Sequence, residues 1–385
     1  MQKSQVRLRW IMIITTTLGL TVGALIWLRP AKSSPTPPGI HGAEAWTLKT
    51  LLALEPPQLE GLDIGLANLL CAQGLQGSED LDLGKSLRRL DEMATRVRLE
   101  TERHRYRFRS NPLDYQNSEP YFNLLMLVTV LQQDFGLIYN PDRVTPVGVF
   151  EPNQHFFANS RDVFIHGLLG GEKSGTCASL PALYTAVGRR LHYPLSLVSA
   201  KNHLFVRWED AIDRLNFEAT SIGLNTYEDA HYQTWPYPMT AEQEKDNKFL
   251  QSMSAAEECA VFMTIRGQCL MAHARTAEAL QAHAQAMRLA PTTQMYAVIY
   301  DIAQREAAAI NTPAPALGRS TVTPPHALRD DLVGTPAWAE FQKEQDLRSQ
   351  SRFPADFTDS GLPLPPPLPT EQTNHFPLPR PPQNR

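Results

Sequence analysis

A chain of 385 residues has room for two modest domains with tails, and 42% hydrophobic and 20% charged residues is a globular composition. The net charge of -4, from 36 Lys and Arg against 40 Asp and Glu, carries no clustered basic face, so a nucleic-acid partner is not expected. Residues 10–28, WIMIITTTLGLTVGALIWL, are 19 residues without a charge. A bilayer needs about 20. The core of a cleaved signal peptide is shorter, about 7–15 residues, and a small-x-small cleavage site follows it. Here Arg29-Pro30-Ala31-Lys32 follows instead. Residues 1–30 therefore read as an uncleaved single-pass signal anchor, with a cleaved signal peptide as the alternative. Lys3, Arg7 and Arg9 precede the span, and Arg29 and Lys32 follow it. That balance places the N-terminus in the cytoplasm and the bulk of the chain outside.

Residues 31–44 are a Pro/Ser/Gly linker. A domain is expected over 45–240, beginning with helices. DLDLGKSLRRLDEMATRVRLETERHRYRF sets Leu87, Leu90 and Met93 at helical spacing, with charge on its other faces. Its LGKS lacks the upstream glycine of a phosphate loop, because Glu79 stands there. YFNLLMLVTVLQQDFGL reads as a buried helix ending near Gly136, and Asn140 to Gln154 as a loop or short-strand connection. SRDVFIHGLLGGEKSGTCASLPALYTAVGRRLHYPL then reads as two helices separated by a turn over 170–175. The second, Ala178–Leu191, buries Leu180, Tyr184, Val187 and Leu191. LSLVSAKNHLFVRW and RLNFEAT read as two strands joined by EDAID. Helices followed by strands make an α+β order.

Over 241–310 the chain turns helical again. Gly267, Ala279, Ala286 and Pro291, at spacings of 12, 7 and 5, match the small residues and closing proline of a tetratricopeptide unit. A generic helical hairpin is the alternative, and a further helix is expected over Met295–Ala309. Residues 311–385 turn to proline and polar residues; PLPPPLP and FPLPRPP favour polyproline II and a disordered tail. The helical region or the tail is the candidate site for a protein partner. The four cysteines, Cys71, Cys177, Cys259 and Cys269, make no disulfide framework in a chain this long. Cys259 and Cys269 would lie ~15 Å apart along one helix, whereas a disulfide needs Cα atoms within ~7 Å. His155, His166, His192 and His231 show no metal-ligand spacing, so no metal is expected.

One segment carries chemistry. In GEKSGTCASLPALYTAVGRR, Cys177 stands between a glycine turn and an apolar helix. A helix N-terminus lowers a thiol pKa through its unpaired N–H groups. A nucleophilic cysteine also needs a histidine in reach and an acceptor that orients the histidine. His203 lies on the first expected strand and Glu218 on the second, where antiparallel pairing could set them on one face. Asn216 shares the face of Glu218 and is the spare acceptor. The backbone N–H of Cys177 is the default oxyanion donor, with Gln154 or Asn159 as side-chain candidates. Trp235-Pro236-Tyr237-Pro238 is expected to cover the core, and His231 and Tyr232 are candidates for a cleft rim.

GTCASLPALYTAVGRRLHYPLSLVSAKNHLFVRW followed by NFEAT resembles the transglutaminase-like superfamily, a papain-like fold. In that family a Gly-x-Cys begins the core helix, a His lies on a following strand and an Asp on the next completes a triad. The order of SLRRLDEMATRVR, YFNLLMLVTVLQQDFGLIYNPD, NSRDVFIHGLL, the Cys177 segment, the His203 strand, YQTWPYPMT and residues 259–291 further resembles the Sir B-related subgroup. That subgroup joins a helical N-terminal part, the transglutaminase-like core and a tetratricopeptide-like C-terminal part, and the likeness runs over residues 45–309. The resemblance implies Cys177 as nucleophile, His203 as base and Glu218 in place of the Asp. It implies a cysteine acyl-transfer enzyme, a peptidase, amidase or transglutaminase, acting on a peptide or carboxamide with neither metal nor organic cofactor. The alternative is a non-catalytic peptide-binding or scaffold module.

Overall fold

The computed structural model describes residues 46–143 and 156–311. The expected membrane span, the linker, Gln154, His155 and the proline-rich tail lie outside them. Among the described residues no helix is long and apolar enough to cross a membrane.

Three short helices come first: α1 (Leu48–Leu52), α2 (Pro56–Leu59) and α3 (Ile64–Ala72). Asp63 caps α3 by accepting from the Leu66 N–H at 2.8 Å. Every residue of α3 is buried, so it serves as a central strut of the core. Helix α4 (Leu83–Ser110) begins at LGKS and buries one stripe: Leu87, Leu90, Met93, Ala94 and Val97. Its other faces carry ion pairs such as Arg89–Glu92. Helix α5 (Glu119–Thr129), capped by Ser118, passes into a π turn at Val130–Asp134 before Gly136 takes φ 73°.

The expected helix over SRDVFIHGLL is two, α6 (Ser160–Val163) and α7 (Ile165–Leu169), because Phe164 is extended. Flanking that pair, β1 (Ile138–Tyr139) runs parallel to β2 (Ser174–Gly175), with Tyr139 opposite Gly175. Helix α8 (Leu180–Arg190) follows, buried over Leu180 to Gly188.

The stretch LSLVSAKNHLFVRW forms two strands rather than one: β3 (Leu195–Ala200) and β4 (His203–Glu209). Asn202 adopts φ 59°, a left-handed conformation that asparagine tolerates, and this closes a two-residue hairpin. With β5 (Arg214–Phe217) they make a three-stranded antiparallel sheet in the order β3-β4-β5. Two short helices follow, α9 (Asp229–Tyr232) and α10 (Ala241–Asp246).

The C-terminal part is helical: α11 (Ala255–Ala272), α12 (Thr276–Leu289) and α13 (Gln294–Asn311). Helices α11 and α12 approach closely because Gly267 has no side chain; a Cβ there would stand 2.4 Å from the His283 ring. Buried Ala279, Ala282 and Ala286 extend the same tight seam. One hydrophobic cluster runs without a break from Leu51 through α8 and the sheet to Tyr296. Arg266 donates to the carbonyls of Cys71 and Gln73, which ties α11 to the end of α3. All four cysteines are free thiols.

Candidate active site

Cys177 lies in a turn stitched to α6 rather than in the helix itself, which starts at Leu180. The Thr176 hydroxyl donates to the Asp162 carbonyl at 2.9 Å and accepts the Ala178 N–H at 3.2 Å. The Ser179 hydroxyl donates to the same carbonyl at 2.8 Å. Leu180 N–H already bonds Thr176 C=O at 3.0 Å, so the turn is the first winding of the helix. Within it the Cys177 N–H meets no acceptor among the described residues. Gly175 is required by close approach, since a Cβ would meet Ser179 Oγ at 2.6 Å and Leu168 Cδ2 at 2.9 Å. Cys177 is half-buried, whereas the other three cysteines are buried. Burial pushes the Cys71 and Cys269 thiols up to about 12 and Cys259 well above the usual range.

His203 is the first residue of β4, at the hairpin corner. Val206 pairs with Phe217, so Glu218, the residue after β5, falls opposite Phe205. His203 is two residues from Phe205 and shares its face, which makes His203 and Glu218 diagonal neighbours. His203 Nε2 bonds Glu218 Oε2 at 2.8 Å, and the two side chains are 5% and 3% exposed. Cys177 is the other group that acts on the imidazole, adding to the upward push of Glu218 on its pKa. With Nε2 engaged by Glu218, Nδ1 is the ring nitrogen left for the sulfur.

The carboxylate of Glu218 is held from all sides. Thr220 donates its N–H at 3.0 Å and its hydroxyl at 2.5 Å to Oε1. Tyr232 is fully buried and donates its hydroxyl to Oε2 at 3.4 Å. Burial alone would raise the Glu218 pKa, but the charge and hydrogen bond of His203 and the Thr220 donors outweigh it and hold the carboxyl below its ordinary value. For His203, burial opposes the charged ring. The Glu218 carboxylate, its hydrogen bond to the ring and Cys177 prevail and raise its pKa well above the ordinary value.

Aromatic rings complete the surroundings. Trp235 meets the His203 ring edge-on at 4.7 Å and 75°. Phe205 stacks on Tyr232 at 3.7 Å beneath the imidazole. His231 lies between Tyr227 at 4.1 Å and Trp235 at 5.2 Å. Of the two rim candidates, Tyr232 is therefore internal and serves Glu218. Tyr139, set opposite Gly175 by the β1–β2 pair, has a hydroxyl whose pKa is raised by burial and then by the charges of Cys177 and Glu218.

The remaining candidates go elsewhere. Asn216 Oδ1 accepts from Arg207 Nε at 2.6 Å, and its Nδ2 donates to Asp229 Oδ1 at 2.8 Å. The spare acceptor is thus committed to a buried arginine on the next strand. Asn159 caps α6 by accepting from the Arg161 N–H at 3.0 Å. Thr220 was missed by sequence reasoning; its only signal is its place two residues after the acid in EAT. Among the described residues no group of three or more His, Cys, Asp or Glu is placed to hold a metal ion.

A family model, Transglutaminase-like superfamily, matches residues 85–260, just under half of the chain. That stretch contains Cys177, His203 and Glu218, and the mixed helix-and-sheet architecture is consistent with such a core. No curated protein and no solved structure matches the chain.

Proposed function

We propose that the chain is a cysteine acyl-transfer enzyme acting on peptide or carboxamide substrates. The observation that carries this reading is the buried imidazole, bonded to Glu218 Oε2 at 2.8 Å through Nε2, with the half-buried Cys177 thiol among the groups that raise its pKa. His203 Nδ1 takes the thiol proton as the reaction begins. Cys177 Sγ attacks the substrate carbonyl carbon, and the Cys177 N–H, without an acceptor among the described residues, faces the oxyanion. Collapse breaks the C–N bond, and the imidazolium gives its proton to the leaving amine. His203, again neutral, then takes a proton from water or from an acceptor amine, which attacks the thioester and regenerates the thiol. Water as acceptor makes a peptidase or amidase, and an amine makes a transglutaminase. Glu218 keeps the ring oriented throughout and compensates its positive charge whenever it is protonated.

Wider features belong to the same proposal. The likeness to the Sir B-related subgroup, the tetratricopeptide-like character of residues 259–291 and an N-terminal signal anchor over 1–30 would make this a membrane-tethered enzyme with its bulk outside the cytoplasm. The close seam of Gly267 against His283 supports the repeat-like reading.

The test is the alkylation rate of Cys177 against pH, read by peptide mass spectrometry in wild type and in His203→Ala. An ordinary thiol titrates near ~8.5, and one paired with a cation well below that. Fast alkylation near pH 6 that is lost in His203→Ala supports the enzyme. Cys177 behaving as an ordinary thiol in both proteins removes it and leaves a non-catalytic binding module.

A further inference from the structure

The acid of this site sits on a longer arm than the aspartate of the family it resembles, with one more rotatable bond to fix. Strand β5 ends at Phe217, so Glu218 is also the first residue of a loop. The loop closes on itself: Glu218 N–H bonds Asn225 C=O at 2.9 Å, and Phe217 bridges Thr226. Inside it, Thr220 turns both its donors onto Oε1. That leaves Oε2 for His203 and Tyr232. The loop is pinned from outside by Gln132 of the π turn, which donates to Ser221 C=O at 2.8 Å and accepts the Gly223 N–H at 2.8 Å. The π segment ends helix α5. Here it aims a side-chain amide along the loop.

We propose that Thr220 is the positioning residue of the site: its hydroxyl and N–H lock the Glu218 carboxylate in the one rotamer that presents Oε2 to His203 Nε2. This rests on reading Cys177 and His203 as a thiolate–imidazolium pair. Without the hydroxyl the carboxylate keeps a single donor on Oε1 and can swing about its last torsion. The imidazolium then loses its fixed counter-charge, and the thiolate forms at higher pH. The other titratable groups facing His203 and Glu218 are Cys177 before α8, Tyr139 on β1 and Tyr232 on α9, and the substitutions below leave all three in place.

The experiment compares Thr220→Val, which removes the hydroxyl at constant shape, with Thr220→Ser, which keeps it. The readout is the pH midpoint of Cys177 alkylation, with Cys71, Cys259 and Cys269 followed in the same digest. Those three are buried, so their protection reports an intact fold. The midpoint should rise by about one pH unit in Thr220→Val, the size of one charge-assisted hydrogen bond, and return to the wild-type value in Thr220→Ser. A wild-type midpoint in Thr220→Val, with His203→Ala still shifting it, overturns the role of Thr220 and leaves the ion pair standing. A midpoint that His203→Ala does not move removes the pair and this proposal with it. Should the buried cysteines of Thr220→Val become reactive, Thr220→Ala replaces it, and an unmoved midpoint there is equally decisive against Thr220.

Discussion

Glu218 and His203 bind each other's charge inside the core, and their stability contribution is therefore limited on both sides in pH. His203 has a folded pKa above its unfolded value, so its contribution is complete below about 6.5 and fades as pH rises through the folded value. Glu218 has a folded pKa below its unfolded value, so its contribution is present above about 4.3 and fades as pH falls through the folded value. The difference in melting temperature between wild type and Glu218→Gln should thus be largest between these two limits and shrink toward both acid and alkaline pH. Near pH 6 the loss should correspond to about 3 kcal/mol, since removing one partner leaves a buried charge uncompensated. A difference that is flat from pH 4 to pH 10 would show that the pair is not ionised in the fold.

At the scale of elements, two turns aim the chemistry. The hairpin at Lys201-Asn202 sets which residues of β4 face Glu218; a slip of one residue would turn His203 to the other face of the sheet. The turn over Gly175 to Ser179 hangs Cys177 from the Asp162 carbonyl by two hydroxyls. Gly175→Ala places a methyl group 2.6 Å from Ser179 Oγ, so that hydroxyl must leave its bond. The expected cost is about 1–3 kcal/mol by thermal unfolding, as for other overpacked sites. The alkylation of Cys177 at pH 6 should slow in parallel. An unchanged rate would mean that the turn does not set the position of the thiol.

Across the whole molecule, the C-terminal helices share the core that holds the site. Arg189, at the end of the helix that follows Cys177, forms a fork with Glu258 on α11 at 2.9 and 2.6 Å, and Glu258 is 2% exposed. Glu258→Ala strands Arg189 and should cost about 3 kcal/mol. It should lower the melting temperature of α3, the sheet and the C-terminal helices together, as one transition in hydrogen exchange. Separate loss of α11 and α12 alone would show that they are an appendage.

Several elements were legible from local pattern because the forces behind them are local. The buried stripe of α4, the apolar helix after Cys177 and the hairpin-forming helices around Gly267 each follow from periodicity, glycine placement and residue type. The break of one expected strand into two rested on a single asparagine adopting a positive φ, which alternating apolar residues on both sides conceal. Which acceptor served His203 was not decidable locally, because Asn216 and Glu218 lie on the same face. The register with β4 gave Asn216 to Arg207 and Glu218 to His203. Thr220 reaches Glu218 from only two residues on, through a turn that carries no periodic signal, whereas Gln132 gained its role only when the chain brought it to Ser221 and Gly223, far along the sequence. The sequence by itself determined the kinds of chemical groups this protein brings to its site and the elements that bear them. Tertiary structure alone decided which of those groups meet, because the 2.8 Å bonds of His203 to Glu218 and of Gln132 to Ser221 depend on the register and burial of separate segments of the chain.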